Sequence, residues 1–372
     1  MVAVADEKHF PIVGKQQQRL LWSYIIYFII LHTLSIYGCY LLIFTMPLSI
    51  FIRHIIVVDL MGKLGSFGIV AGAHRLWSHR SYRARLPLRI FLMLCHTMTF
   101  ELSILKWSQL HRVHHKWSDT DADPHNSRRG FFYSHVGWLF FDQSPEYYEK
   151  EKTLNFDDLL ADPIIRFQDQ FYWPLLVITW AIVPMYLGHW YTGSSLFVCF
   201  TIEVMLRHCL ALHHTFIVNS IAHKYGSRPY DPKIEPRDNY FVVYLALGEG
   251  YHNYHHTFPW DYSASEHGWQ KTFNIITAFI DFCALFGLAY DLRKPSAEFI
   301  AKRSEKALKM IDNNNDDDDD DQHSTLSTSS TSKNIGFYNL IIILLDNLIG
   351  LMINTIGLVL LAALKIVVFY YS

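Results

Sequence analysis

The sequence predicts an all-α integral membrane protein with four transmembrane helices arranged in two hairpins. Hydrophobic residues make up 51% of the chain and charged residues only 18%, whereas about a quarter of a soluble protein is charged. A helix needs about 20 apolar residues to cross a hydrocarbon core of about 30 Å. Four stretches reach that length: residues 20–44, 48–73, 171–190 and 195–218.

Turn residues divide these stretches into two pairs. Met46-Pro47 separates the first pair, and Gly188 and Gly193 mark the turn within the second. Each hairpin returns the chain to the side that it left, so the segments outside the hairpins share one side of the membrane. Basic residues between the hairpins predict that this side is the cytoplasm: Arg75, Arg80, Arg83, Arg85, Arg89, Lys106, Arg112, Lys116, Arg128 and Arg129.

Two further apolar stretches, 86–105 and 273–290, are predicted to lie at the interface or to pack against protein. Histidine clusters flank residues 86–105, and a crossing there would put those clusters on opposite faces of the membrane. Asp281 interrupts residues 273–290. Neither stretch is therefore counted as a span.

The predicted domains are a polar cytosolic segment (1–19) without a cleavable signal peptide, a membrane domain (20–300), a linker (301–336) and an apolar segment (337–372). The linker is rich in Asn, Asp, Ser and Thr, which predicts disorder. The last segment is interpreted equally as an added membrane anchor or as a dispensable extension.

Charge and cysteine content exclude several classes of protein. The net charge is -2, and six of the negative charges lie in the run 316–321. The rest of the chain therefore carries only +4, which is too little for a nucleic-acid-binding protein. The five cysteines are scattered singly without a CxxC pair, so neither a disulfide framework nor a thiolate metal site is predicted. They are interpreted as small core residues.

Histidine gives the strongest signal, because 21 histidines are present and many are clustered. The motif HxxHH occurs at 111–115 and 252–256, and it places three imidazoles on one helix face. His74 and His79 form a third cluster. Their i, i+5 spacing puts them about 140° apart on an α-helix, so they converge only where the helix ends or bends.

The three clusters supply more imidazoles than one metal ion binds. Eight histidines suit two metals with four or five ligands each, and His223 is a ninth candidate. Neutral imidazole binds iron, zinc, copper and nickel, and the lack of thiolates argues against structural zinc. A pair of irons beside a membrane indicates oxygen activation on a lipid, because breaking an unactivated C–H bond requires such a cofactor.

Four long motifs resemble the stearoyl-CoA-type acyl-CoA desaturases, which are membrane-bound di-iron fatty acid desaturases. They are AGAHRLWSHRSY (71–82), HRVHHKWSDTDADPHNSRRGFF (111–132), NSIAHKYGSRPYD (219–231) and GEGYHNYHHTFPWDYSASE (248–266). The resemblance covers most of residues 20–300. It implies four transmembrane helices under a cytosolic helical cap in the endoplasmic reticulum membrane. It also implies insertion of a cis double bond at the delta-9 position of a long-chain acyl-CoA, using O2.

The resemblance implies an electron donor and a set of site residues. The donor is cytochrome b5 with its reductase, as a separate protein, because the sequence lacks the HPGG motif of a fused cytochrome b5 domain. Trp107 and Thr215 are implied to lie at the kink of an acyl tunnel. Gly62 and Ser66 lie near its end, where small residues predict longer chains. The implied ligands of two Fe2+ ions are His74, His79, His111, His114, His115, His223, His252, His255 and His256, with Asn219 acting through water.

Polar residues near the clusters are interpreted as partners that orient the ligand imidazoles: Asp119, Asp123, His125, Asn126, Arg128 and Glu249. The alternatives are a metal loop for the aspartates, a contact with the substrate head group for Arg128 and a turn cap for Glu249. The chain departs from the family pattern at Glu101-Leu102, Gln109-Leu110 and Asp142-Gln143, where the family holds the coenzyme A head group. These positions lack the positive charge that would attract an anionic coenzyme A head group, so the identity of the acyl carrier stays open.

Other functions remain open at this stage. An acyl-lipid desaturase or a hydroxylase would use the same metal site with a different substrate placement. Non-enzyme alternatives are a histidine-rich metal transporter, a membrane metal-binding protein and an inactive scaffold paralogue. Transport sites lie near the membrane midplane, whereas these clusters lie beyond the span ends. An inactive paralogue is expected to lack a ligand, and all nine positions are filled.

Overall fold

Helices form nearly all the regular structure, as the sequence predicts. The computed structural model describes residues 18–315 and Lys365. The only strands in this part of the chain are β1 (Arg83–Ala84) and β2 (Ala289–Tyr290), which pair antiparallel. The helices are α1 (Trp22–Thr45), α2 (Leu48–Ser78), α3 (Leu86–Thr97), α4 (Ile104–Lys116), α5 (Phe131–His135), α6 (Pro145–Glu151), α7 (Asp157–Ala161), α8 (Pro163–Gln170), α9 (Tyr172–Thr192), α10 (Leu196–Lys224), α11 (Tyr240–Leu245), α12 (His252–Thr257), α13 (Ile275–Leu285) and α14 (Ala297–Asn315).

Within residues 18–315, three helices are long and apolar enough to cross a membrane: α1, α2 and α10. A fourth span is present if α8 and α9, which meet at an angle of 83°, are counted together. The turns at Pro47 and Gly193 fall where the sequence predicts them, but the prediction that Gly188 also marks a turn is wrong. Gly188 lies inside α9, where it packs against the Glu203 side chain of α10. Pro47 precedes α2, and Gly193 ends α9 with a left-handed φ of +75°, a conformation that glycine adopts without strain. The all-α membrane fold is confirmed.

The long helices contain wide π-helical turns, in which hydrogen bonds join residues i and i+5. These turns occupy Leu41–Thr45 in α1, Phe67–Ser78 in α2, Val177–Ile182 in α9 and Phe200–Leu206 in α10. The segment in α2 contains His74, and His79 follows directly after its end. The sequence predicts a helix end or bend between these two histidines, and the π-helical geometry is the form that this departure from an α-helix takes.

Close backbone approaches bring the helices together. A Cβ atom on Gly38 of α1 would lie 2.9 Å from the Thr201 carbonyl oxygen of α10. One on Gly68 of α2 would lie 2.0 Å from the His96 backbone nitrogen of α3. Glycine is therefore required where α3 crosses the π-helical part of α2, because any side chain would separate the two helices.

The helices α3 and α13 are too short to cross a membrane. Leu88 and Leu92 of α3 are buried, while Leu86 and Leu94 on its other side are exposed. On α13, Ile276 and Ile280 are buried against the core that contains Leu76 and Trp77 of α2. Both helices therefore pack one apolar face against the protein, as predicted for these two stretches.

The helix α14 covers the beginning of the segment predicted as a disordered linker. Ile300 and Ala307, seven residues apart, are buried on one face, so the part of α14 around these two residues packs an apolar face on the protein. The rest of the predicted linker (316–336), residues 1–17 and, apart from Lys365, the apolar segment 337–372 lie outside the described residues.

We predict that Gly68→Ala lowers the free energy of unfolding by about 3 kcal/mol, because the new methyl group overpacks the contact with α3. Gly62→Ala on the same helix is the control, since no atom lies within 4 Å of its added Cβ. Alanine gains up to about 1 kcal/mol over glycine within a helix. The measurement is thermal unfolding in detergent, and equal midpoints for both variants would contradict the prediction.

Candidate metal centre

His74 and His79 converge because α2 ends in a π-helical turn. The backbone nitrogen of His79 donates to the carbonyl oxygen of His74 at 3.1 Å, an i to i+5 bond. A π-turn has more residues than an α-turn, so side chains five apart share one face. The two ring centroids are 4.8 Å apart. The sequence analysis names a helix end or bend as the condition for convergence, and the widened last turn meets that condition.

Each HxxHH motif contributes to both sides of the site. On α4, His111 and His115 point to one side, and His114 points to the other, because adjacent helical residues are rotated by about 100°. On α12, His252 and His256 share a side and His255 takes the other. The nitrogens of each group lie within 4.8 Å of one another. The five-histidine group is His74, His79, His111, His115 and His255; the four-histidine group is His114, His223, His252 and His256.

Ring nitrogens within each group approach closely. In the five-histidine group, the Nε2 atoms of His74 and His255 are 2.8 Å apart, and those of His79 and His111 are 2.9 Å apart. In the four-histidine group, the Nε2 atom of His252 lies 2.9 Å from that of His223 and 3.1 Å from that of His256. Two nitrogens at right angles around one ion lie about 3.0 Å apart when each bond is about 2.1 Å long.

In three of the rings, a carboxylate determines which ring nitrogen is free to bind a metal ion. Nδ1 of His74 lies 2.9 Å from Glu249, and Nδ1 of His114 lies 2.8 Å from Asp123. Nδ1 of His223 lies 2.9 Å from Asp119. An ionised carboxylate only accepts hydrogen bonds, so each Nδ1 carries the proton and each Nε2 keeps its lone pair. The lone pairs of His74 and His223 then face other Nε2 atoms, an arrangement that a cation between them stabilises.

Burial keeps most of the rings neutral. Burial, followed by repulsion from His74, lowers the pKa of His79 well below its usual value. Burial and neighbouring histidines likewise lower the pKa of five more rings, those of His111, His115, His252, His255 and His256. Neutral imidazole is the form that binds metal ions. The described residues therefore offer two sets of nitrogen donors that fit one ion each.

Glu249 is kept ionised by a residue that the sequence analysis does not single out for this role. Burial alone raises its pKa, but Arg75 and then His74 lower the pKa to about 2. The Arg75 guanidinium donates to Glu249, to the Tyr262 carbonyl at 2.9 Å and to the Thr277 hydroxyl at 2.9 Å. Arg75 lies inside the first histidine motif, and that position is the only sequence signal for its role.

Arg112 is a second residue missed by the sequence analysis. It follows the ligand candidate His111, and its side chain donates to the carbonyl oxygens of Trp77 and Ser78 at 2.8 and 3.0 Å. It also pairs with Asp158. These bonds satisfy carbonyl groups at the end of α2 and hold that end against α4.

The loop after α4 is organised by its polar side chains. Asp123 accepts from the backbone nitrogens of Asp119 and His125 at 2.7 and 3.0 Å. Asn126 caps the backbone nitrogen of Arg128 at 2.9 Å. His125 packs edge-on against Trp138, and its ring lies 5.0 Å from that of His114. These contacts fix the two aspartates that orient the rings.

Arg128 lies away from the rings. Its side chain is 64% exposed and pairs with Glu235 at 3.3 Å. Among the interactions of the described residues, Arg128 thus makes no contact with a ligand histidine that would support its predicted orienting role. The other residues predicted for that role are close to the rings: Asp119, Asp123, His125 and Asn126 lie in the loop after α4, and Glu249 contacts His74.

Two adjacent cavities, which share five lining residues, lie beside the histidine groups. The wide cavity has a volume of about 600 Å3, and the narrow cavity has a volume of about 80 Å3. Trp107, Thr215 and Asn219 line both cavities and therefore mark their junction. Ser66 lines the narrow cavity, whereas Gly62 lines neither; the Ser66 hydroxyl donates to the Gly62 carbonyl at 3.2 Å. The tunnel roles of these residues stay predictions.

Glu101 places an acid at the junction. It lines both cavities and accepts from the Thr215 hydroxyl at 3.1 Å. Phe100 and Leu102, its neighbours, have left-handed φ values of 57° and 70°, which are strained for such residues. Burial raises the pKa of Glu101 to about 8, against smaller opposing effects of the hydrogen bonds from Thr215 and Trp107. Glu101 is therefore mostly protonated at neutral pH.

The other departures from the family pattern have separate surroundings. Leu110 lines the wide cavity. The Asp142 carboxylate accepts from the Tyr148 hydroxyl at 3.0 Å and from the Gln143 nitrogen at 2.9 Å. The side-chain oxygen of Gln109 is buried without a hydrogen-bond partner among the described residues. Of the five departures other than Glu101, Leu102 and Leu110 line the wide cavity, and Gln109, Asp142 and Gln143 do not.

We predict that Glu249→Gln weakens metal binding by about 10–100-fold, because a neutral amide replaces the charged carboxylate that orients the His74 ring. Glu235→Gln, which removes a carboxylate beside Arg128 at the surface, is the matched control. The measurement is metal content after dialysis against a graded series of chelators. Equal retention of metal by the two variants would show that Glu249 does not support the site.

Comparisons with known proteins identify the family of this chain. The Fatty acid desaturase family model matches residues 60–280. Stearoyl-CoA desaturase 5 of Bos taurus is 45% identical over 290 residues, which cover 78% of this chain and 84% of the relative. Acyl-CoA Delta-9 desaturase of Acheta domesticus is 43% identical over 290 residues, 78% and 79% of the two chains. Acyl-CoA Delta-12 desaturase of Tribolium castaneum is 43% identical over 287 residues, which cover 77% of this chain and 78% of the relative. The chain belongs to the fatty acid desaturase family.

Proposed function

We propose that this protein is an acyl-CoA desaturase that introduces a cis double bond, at the delta-9 position, into a long-chain fatty acyl group. One observation carries the proposal: His111 belongs to the five-histidine group and also lines both cavities. A chain lying through the junction would pass beside the metal-binding nitrogens. The family and the names of the relatives support the same reaction.

The proposed cofactor is a pair of iron ions. The five-histidine group would hold one ion and the four-histidine group the other, with Asn219 acting through water. Bound iron supplies the activation of O2 that removal of hydrogen from an unactivated carbon requires. The Nε2 separations and the neutral rings support this assignment, because they fit nitrogen ligands around one ion in each group.

The protein's own residues position the substrate and exclude water. Trp107 stacks on His111 with ring centroids 4.8 Å apart, so one side chain touches both the tunnel wall and the metal site. Thr215 faces it across the junction, where the two cavities meet. Fixing the bend of the acyl chain here selects the carbons that lie beside the metals, since orientation controls which bond reacts.

The membrane orientation and the electron donor are proposed together. The helix α2 runs from the turn at Pro47 to His79, and α10 runs from the turn after Gly193 to His223. Both histidine groups thus lie at the ends opposite the hairpin turns. Arg80 is 64% exposed at this end, which favours the cytosolic face of the endoplasmic reticulum membrane. Reduced cytochrome b5, with its reductase, would supply electrons from that side.

The cavity supports a long-chain substrate. Ser66 lines the narrow branch, where its small side chain leaves room for an acyl chain. Leu110 and Glu101 line the wide branch, where a head group would enter. An acyl-lipid desaturase or a hydroxylase would use the same metals, and one relative is named for the Delta-12 position. Product and carrier analysis separates these reactions.

We predict that expression in a desaturase-deficient host restores delta-9 unsaturated fatty acids, and that His114→Ala abolishes them. His114 is a proposed ligand whose ring is fixed by Asp123. His267→Ala, an exposed histidine outside both groups, is the matched control. The measurement is mass spectrometry of acyl chains with double-bond location. Survival of activity in His114→Ala would refute its ligand role, and a hydroxylated product would refute desaturation.

We predict that Glu101 makes the activity fall as pH rises from 7 to 9. Its carboxyl is neutral below its pKa of about 8 and becomes negatively charged above it, and an unpaired charge in an apolar cavity opposes binding of an acyl chain. Glu101→Gln keeps the size without the titration. The ratio of variant to wild-type kcat/KM should rise about tenfold by pH 9. Parallel pH profiles would contradict this role of Glu101.

A further inference from the structure

A second set of histidines lies outside the two metal-binding groups. His32 of α1 faces His213 of α10, and Cys209 of α10 lies one turn before His213. We propose that His32, Cys209 and His213 form a separate site for a soft monovalent cation, Cu+. The ligand atoms of these three residues lie within 4.8 Å of one another. This site is independent of the proposed desaturase reaction.

Hydrogen bonds fix the free nitrogen of His32. Its Nδ1 atom lies 2.8 Å from the Phe28 carbonyl oxygen, which can only accept. Nδ1 therefore carries the proton, and Nε2 keeps a lone pair. That Nε2 atom lies 3.1 Å from Nε2 of His213, a separation similar to those within the two histidine groups.

A chain of hydrogen bonds allows the same tautomer in His213. The Ser220 hydroxyl donates to the Phe216 carbonyl at 2.9 Å, and its oxygen is then free to accept from Nδ1 of His135 at 2.9 Å. Nε2 of His135 can accept from Nδ1 of His213 at 3.0 Å. With the protons in these places, every donor in the chain has an acceptor. The Nε2 lone pairs of His213 and His32 then face each other, and a cation between them would bind both.

The surroundings favour a monovalent soft ion. Cys209 is 8% exposed and packs in an apolar cluster with Phe28 and Met205. A thiolate prefers soft metals such as Cu+. One thiolate and Cu+ form a neutral complex, whereas Zn2+ would leave a net positive charge inside a membrane-spanning segment, which is costly.

The site is spatially separate from the proposed iron ligands. His213 precedes His223 by ten residues on α10, which corresponds to about 15 Å along a helix that rises 1.5 Å per residue. His135, which touches His213, belongs to α5 and to neither histidine group. Loss of this site is therefore expected to leave the bound iron in place.

The test is anaerobic titration of the full-length, iron-loaded protein in detergent with Cu+ buffered by a chromogenic chelator. We expect about one Cu+ per chain, with affinity lowered at least tenfold in Cys209→Ser and in His32→Gln, because each loses one of three ligands. Cys199→Ser is the matched control, since Cys199 is a buried cysteine of the same helix outside the cluster. Unchanged iron content shows that each variant is folded.

Three outcomes would overturn the proposal. They are wild-type binding no tighter than that of Cys209→Ser, a preference for Zn2+ over Cu+, and loss of Cu+ binding in Cys199→Ser equal to that in Cys209→Ser. If the site variants do not fold, X-ray absorption on the copper-loaded wild type decides. One sulfur and two nitrogen neighbours support the site, and a copper shell without sulfur refutes it.

Discussion

The direction of the hydrogen bonds around the histidine rings is the constraint on which the site depends. Glu249, Asp123 and Asp119 each hold one Nδ1 atom, so the Nε2 lone pairs of those rings must point inward. A cation between such a lone pair and the neighbouring Nε2 atoms would be held by several rings at once, which is how imidazoles bind a metal ion. Arg75 keeps Glu249 ionised without competing for the metal, because guanidinium offers donors only.

The widened turn of α2 serves the same constraint. An α-helix would place His74 and His79 about 140° apart, and only one could face the metals. The π-turn brings both to one side, and Arg112 ties the carbonyl groups of that turn to α4. Gly68 lies in the same segment, where the backbone of α3 approaches it. Ligand geometry and helix packing therefore depend on one local feature.

The two cavities and the histidine groups share a wall, so the proposed placement of an acyl chain would be coupled to the metal site. Trp107 contacts His111, and Glu101 contacts Thr215 across the junction. A mostly neutral acid at this point provides a donor in an otherwise apolar passage. The family relationship supports acyl-CoA desaturation.

The sequence by itself determined the all-α membrane fold, the positions of the long helices and the six clustered histidines of the two HxxHH motifs, because apolar length and HxxHH spacing are local properties. It did not determine how each motif divides between two groups, since that depends on how α2, α4, α10 and α12 meet. Cys209 illustrates the difference. Its sequence context predicts a small core residue, while packing of α1 on α10 places it beside His32 and His213. Residues far apart in the chain become partners only through tertiary contacts, and no local pattern records those distances.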